Sequence, residues 1–395
     1  MSWSTVRADQ FCTLITDGTH DSPKPQQSGW KLITSKHLKG HYIDFDSANW
    51  ISEADYLKVI SRSAVEQWDI LFSMIGTIGN IYLEKNPHVE YACKNMGIFK
   101  FSGNKENALW MYYYLKSPQA KAYIQTHLRG STQAYVPLGG LREMPVPVPP
   151  QSVRNEIIAV LRPIDEKIEC NNAINDNLEQ QAQSYFQELF VDNADPEWTT
   201  GTISDLGTVV GGSTPSKAKP EYYTESGIAW ITPKDLSINK SKFVSHGEND
   251  ITELGLKNSS AAIMPEGTVL FSSRAPIGYI AIAAGEVTTN QGFKSVVPKP
   301  EIGTPFVYFF LKNTLPVIEG MASGSTFKEV SGSTMKNAPA VIPDAETLAK
   351  FSDFCAPIFK QQRTLEEQNQ SLAKLRDSLL PKLMSGEIDV SDVQL

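Results

Sequence analysis

Three pairs of short segments carry residue types that can grip a polyanion. DGTHDSPK (17–24) offers Thr19, His20 and Lys24, and GGSTPSKAK (211–219) offers Ser213, Thr214, Lys217 and Lys219. Glycine lets a backbone approach closely, hydroxyls donate to phosphates or base edges, and lysine supplies charge. TSKHL (34–38) and TPKDL (232–236) each place a lysine, Lys36 or Lys234, after a strand-like run. HLRGSTQ (127–133) presents Arg129, Ser131, Thr132 and Gln133, and ASGSTFK (322–328) presents Ser325, Thr326 and Lys328. Arg274 sits in a glycine-turned run; with Arg129, Gln133 and Lys328 it is suited to base-edge contacts. Taken singly, each segment reads as a plain turn and each side chain as an ordinary surface residue. Their recurrence at matching places in both halves is what marks them.

Signatures of catalysis are missing. No GxxxxGK[ST] phosphate loop, no GxGxxG opening a helix, no GxSxG elbow and no NPPY-type or DPPY-type tetrapeptide for amine methylation occurs. The six histidines show no metal-ligand spacing, so no metal site is expected. The four cysteines form no CxxC pair and read as buried thiols. The absence of these motifs favours a recognition scaffold over a catalyst.

The elements that would position those loops come in duplicate. GSTQAYVPLGGLREMPVPVPP begins at Gly130, and GSTFKEVSGSTMKNAPAVIPD begins 194 positions later at Gly324. Upstream, SGWKLITSKHL (28–38) resembles SGIAWITPKDL (226–236), DILFSMIGTIG (69–79) resembles TVLFSSRAPIG (268–278), and KNMGIFK (94–100) resembles TNQGFKS (289–295). LFSMIGTIGNIYL (71–83) and VLFSSRAPIGYIAIA (269–283) read as hairpins, and LWMYYYLK (109–116) and FVYFFLK (306–312) as buried helices.

After each unit comes a long amphipathic stretch. Ile164, Ile168, Asn171, Asn175 and Leu178 step by alternating fours and threes, the seam of a coiled coil. The partner set 194 positions on, Ile358, Gln362, Leu365, Asn369 and Leu372, keeps the same phase and a polar centre. Pro163 and Pro357 are expected to kink each helix or restart it, leaving a segment of about 27 residues, roughly 40 Å long. Two ordinary amphipathic helices, each lying on its own unit, remain the plainer possibility.

The predicted fold is therefore α+β. Two similar globular recognition domains (1–150 and 198–343) are joined and separated by helical spacers (151–192 and 344–386), with a tail at 387–395. The spacers pair as an antiparallel coiled coil around a pseudo-twofold axis. The formal charge of −8 argues against simple polyanion binding, yet it is unevenly placed. Residues 1–150 carry +2 and 198–343 carry 0, whereas 151–197 carry −7 and 344–395 carry −3. No apolar run reaches membrane-spanning length and the N-terminus lacks a secretory pattern, so a cytoplasmic location is expected.

The order unit–helix–unit–helix, the loops DGTHDSPK and GGSTPSK, the strand IAWITPKDL and the ending LRDSLLPKLMSGEI together resemble the DNA-specificity subunit of Type I restriction–modification systems. The resemblance runs over about residues 5–390. It implies two target-recognition domains reading the halves of a split double-stranded DNA sequence. It also implies helices that set the spacing and dock two modification (methyltransferase) subunits, with restriction (translocase–nuclease) subunits joining. S-adenosylmethionine, ATP and Mg would belong to those partners, with no cofactor and no catalysis in this chain. The competing reading is a non-catalytic coiled-coil scaffold whose globular ends bind protein or carbohydrate.

Overall fold

The computed structural model describes residues 3–40, 42–324 and 328–390. The chain divides into two compact units, Met1–Glu169 with Ser371–Leu395, and Cys170–Gln370. The division cuts through both long helices, so each unit holds one globular domain and a stretch of each helix.

In the first unit a four-stranded antiparallel sheet runs in the order Leu14–Asp17, Met96–Lys100, Ile70–Ser73, Ile81–Leu83. The strand Ile70–Ser73 is buried on both faces, and the period of two explains how. Ile70 and Phe72 enter a core with Trp110, Tyr113 and Leu161, while Leu71 points into a second cluster with Ile33, Cys93 and Ile98. A three-stranded sheet lies beyond that cluster, with Trp30–Ile33 between antiparallel Asn49–Ile51 and parallel Tyr91–Cys93.

The second unit repeats the plan. Its main sheet has the order Gly207–Gly211, Lys294–Pro298, Val269–Ser273, Ile277–Ala283, Phe243–Val244. Val269 and Phe271 face the helical core; Leu270 faces the opposite cluster with Ile231 and Ala281. The smaller sheet again holds a parallel pair, Ile228–Ile231 with Thr288–Thr289. Both expected hairpins are present. LWMYYYLK falls in the helix Lys105–Lys116 and FVYFFLK in the helix Thr304–Gly320, where their aromatic rings are core rather than stacking platforms.

Each domain is closed by pairing its first strand with its last. Ser4–Arg7 runs antiparallel to Pro145–Val148, and Thr199–Thr202 to Pro339–Ile342. The repeated segment quoted above supplies that last strand and the short helix before it, Leu138–Glu143 or Gly332–Asn337. Val136 and Val330 are fully buried at its start, each donating its N–H to the sheet, to the carbonyls of Met74 and Ser273.

The expected restart at the prolines does not occur. The first long helix spans Gln151–Gln187 through Pro163, and the second spans Ala345–Ser385 through Pro357, with no restart at either. A proline inside a helix forfeits one backbone bond. Here the helix on either side is held by burial, with Leu161 at 0% exposure before Pro163 and Cys355 and Ile358 buried around Pro357.

Candidate nucleic-acid interface

The loop starting at Asp17 follows the first sheet strand and runs beside the strand Tyr91–Cys93. Thr19 donates its N–H to the Cys93 carbonyl at 2.9 Å. In the second domain Ser213 does the same to Thr289 at 2.8 Å. The glycine just before each is needed for this approach. A Cβ on Gly18 would strike the Cys93 carbonyl, and one on Gly212 would strike the Asn290 and Thr289 backbone. These glycines thus serve the protein's own strand packing, a role their sequence setting did not reveal. Arg62 ties the first loop down further, donating to the carbonyls of Asp17 and Gly18 and pairing with the Asp17 carboxylate at 3.3 Å.

Lys36 and Lys234 are placed by a shared device. Thr34 opens a short 3-10 turn and receives His37 back on its own N–H, through Nδ1 at 2.9 Å. Thr232 opens the corresponding helix and its N–H donates to the Asp235 carboxylate at 2.7 Å. Both are reciprocal caps of an N-terminus. They leave the intervening lysines exposed, Lys36 with no ionic partner among the described residues and Lys234 paired to Glu248 at 2.5 Å.

In the second domain these elements converge. A cleft of about 650 Å³ is lined by Thr214, Lys217, Lys234 and Arg274, with Asn249, Asn290 and Gln291. Four of the residues singled out in the sequence therefore meet in one place, from three loops. Arg274 is half-buried and faces Glu329 at 3.6 Å, which also lies 3.8 Å from Lys294. Ser213 is turned toward the Ser260 N–H, and Lys219 toward Glu221 at 3.7 Å. Neither lines the cleft. Lys328 is exposed beside Glu329; Ser325 and Thr326 lie outside the described residues. Gln291, Asn290 and Asn249 were not singled out by type. In the sequence TNQG aligns the repeat, and its carboxamides between a threonine and a glycine are the available signal.

The first domain presents a smaller hollow of about 380 Å³ lined by Thr19, Lys24, Gln26 and Lys58. His20 lies beside it rather than in it, bridging Asp17 at 2.8 Å and Asn95 at 2.9 Å. Lys58 pairs with Asp21 at 3.0 Å, and Lys94 donates to Ser22 at 2.5 Å. Arg129 is exposed and its backbone pairs with Tyr135 in both directions, so Gly130, Ser131, Thr132 and Gln133 form the exposed tip of a tight turn.

None of the helical residues predicted to form a seam is fully exposed. Asn171, Gln362 and Ile358 are buried, and Ile164, Ile168, Asn175, Leu178, Leu365, Asn369 and Leu372 are half-buried. In the second unit the two helices run side by side in opposite directions. Asn171 donates to Gln368 and Asn369 at 2.8 Å each, and Gln362 donates to the Asn175 carbonyl at 3.2 Å. Nearby, Lys242 leaves the globular domain and enters between them, with Nζ 2.8 Å from Glu179 and 2.9 Å from Gln362, over the Phe359 ring at 3.5 Å. Lys312 adds a second bond to Glu179 at 2.6 Å. Burial pulls the Lys242 ammonium down to about 8 against the pull of Glu179. Burial also pushes Glu179 up, but Lys242 and Lys312 outweigh it and hold the carboxyl at about 2. In the first unit the corresponding joint is Lys116, Asp165 and Arg376, at 3.2 and 2.7 Å.

Among the described residues no group of His, Cys, Asp and Glu is placed to hold a metal ion, and no helix is long and apolar enough to cross a membrane.

A duplicated α+β domain with polar, cation-lined loops at one site and a two-helix connection defines the class. The family model for the Type I restriction modification DNA specificity domain matches residues 3–180 and again 196–374, and the chain belongs to that family. Its relatives include the Type I restriction enzyme MjaIX specificity subunit of Methanocaldococcus jannaschii, 37% identical over 195 residues, covering 49% of this chain and 45% of that protein. The match thus spans under half of that relative's length. The Type I restriction enzyme HindI specificity subunit of Haemophilus influenzae is 22% identical over 86% of this chain and 90% of that protein. Specificity subunits are the non-catalytic members of these systems, and this chain is of that kind. The crystal structure of a Type I restriction–modification S subunit from M. genitalium shares the fold, with a TM-score of 0.55 over 97% of this chain and 96% of that one, at 16% identity.

Proposed function

We propose that this chain reads a two-part double-stranded DNA target in the cytoplasm, one part per globular domain. It would dock two methyltransferase subunits and the restriction subunits that act on that target. The observation that carries this reading is the second domain's cleft, where Lys217, Lys234 and Arg274 stand around Thr214, Asn290 and Gln291. Cations neutralise phosphates and fix register, while carboxamides and hydroxyls discriminate base edges. The two helices, paired as a coiled coil, would hold the half-sites at a fixed separation. S-adenosylmethionine, ATP and Mg would be brought by the partner subunits.

The test is the map of methylated bases across the host genome, with the gene intact and deleted. A two-part motif with a gap of fixed length should vanish on deletion and return on complementation. Unchanged methylation, together with binding by the assembled complex that ignores DNA sequence, would favour a protein-binding or carbohydrate-binding scaffold.

A further inference from the structure

Within the second domain's cleft one side chain is presented differently from the rest. Gln291 is exposed, yet its carboxamide is held by the Thr214 hydroxyl, which donates to Oε1. Both partners stand on anchored backbone. On the Thr214 side, Ser213 N–H donates to Thr289 at 2.8 Å and the Tyr223 hydroxyl donates to the Pro215 carbonyl at 2.6 Å. On the Gln291 side, Asn290 N–H donates to Ile231 at 3.0 Å, and the Asn290 side chain accepts from Gly292 N–H at 2.8 Å. A glutamine side chain ordinarily loses considerable rotamer freedom on being ordered. Here the Thr214 hydroxyl gives the amide one orienting partner from within the protein.

The held amide has a definite chemical face. Oε1 keeps a second lone pair, and Nε2 makes no hydrogen bond among the described residues. An acceptor beside a donor in one plane matches the major-groove edge of adenine, which offers N6–H and N7, and no other base offers that pair. Lys217 lines the same cleft with no ionic partner among the described residues, while Lys234 is paired to Glu248 and Arg274 faces Glu329, so Lys217 is the cation free to meet a phosphate. The first domain repeats the pattern, with His20 of the equivalent loop 2.9 Å from the Asn95 carboxamide. Asn95, however, has φ +54, a conformation that favours asparagine for backbone reasons. Gln291 has no such reason to be an amide.

We propose that Gln291 is the adenine-reading side chain of the second half-site and that Thr214 is its positioning residue. The proposal rests on the DNA-recognition reading above. The experiment is selection from a randomised duplex library by the complete complex, with the first half-site serving as internal control. Gln291→Glu removes the donor, and an acceptor-only side chain suits the cytosine amino group. The preferred base at one position of the second half-site should change from A to C, with roughly 10-fold or greater discrimination, and the first half-site should be unaltered. Gln291→Ala should accept all four bases there. Thr214→Val should keep A but discriminate a few-fold less, and Thr214→Ser should restore it, which loss of local packing would not predict. Unchanged base profiles in both Gln291 variants would overturn the proposal. So would a uniform weakening at every position, or loss of the first half-site as well. If the unmodified complex selects no sequence at all, the DNA-recognition reading fails instead.

Discussion

The two globular domains keep one backbone plan and part company where side chains leave it. Gly18 and Gly212, Val136 and Val330, and the caps at Thr34 and Thr232 occupy matching places and do matching jobs. At the loops the domains differ. The first places an imidazole, His20, where the second places the Thr214 hydroxyl, and its hollow is smaller. The joints with the helices differ as well. The first uses Lys116, Asp165 and Arg376, with one basic group from the domain and one from a helix. The second uses two lysines from the domain on one glutamate. Duplication has preserved the residues that pack and released the loop side chains and the anchors to the helices.

The largest test of that contrast is at the joints. Glu179→Leu leaves Lys242 buried without its carboxylate, and removing one partner of such a pair costs about 3–5 kcal/mol. Asp165→Leu should destabilise the first unit by less, because Lys116 and Arg376 retain more solvent and Arg376 also has Asp377. Denaturant unfolding followed by hydrogen exchange in each unit measures both. Equal losses would mean that the joints are equivalent despite their chemistry. Acid probes the same group. The Glu179 pKa is held at about 2 against 4.5 when unfolded, so its stabilisation is complete above pH 4.5. It disappears as pH falls from there toward 2, and Glu179→Gln should abolish that part of the acid transition.

A smaller effect tests the shared frame. Gly18→Ala and Gly212→Ala each push a methyl group into a neighbouring strand's backbone and should cost about 1–3 kcal/mol apiece, read as a loss in thermal or denaturant stability. If only one of the two is destabilised, the loops are not equivalent and the alignment of the domains at that point is wrong.

The smallest effect separates the caps. Burial lowers the His37 pKa below its usual 6.5, so the neutral ring that accepts the Thr34 N–H prevails in the folded state. Because the unfolded chain takes up the proton first, the cap's contribution is present above pH 6.5 and declines as pH falls through the lowered value. Amide exchange around Ser35–His37 should quicken over that range, by the equivalent of roughly 1 kcal/mol for a lost cap. His37→Asp should remove the dependence by copying the arrangement at Asp235.

Much of this was legible because repetition is visible without structure. The offset of 194 residues held through the closing strand, the buried valines and both helices, and the hairpins followed from glycine between apolar runs. Three things were hidden. Pro163 and Pro357 suggested interruption, but propensity cannot register the packing that carries a helix past them. KNMG and TNQG aligned by residue type, whereas the parallel pairings set Cys93 opposite Ile33 and Thr289 opposite Ile231, one residue out of step with that alignment. Gln291 looked like part of a turn, because only the folded loop brings Thr214 to it from 77 residues away.

The strand that enters each domain is zipped to the strand that leaves it, Val6 opposite Val146 and Thr200 opposite Val341. Entry and exit of a whole folded body are thereby brought to one spot, like the two ends of a clasp. The point where the following helix begins is thereby set by the domain's own two ends, whatever the length of the loops between them.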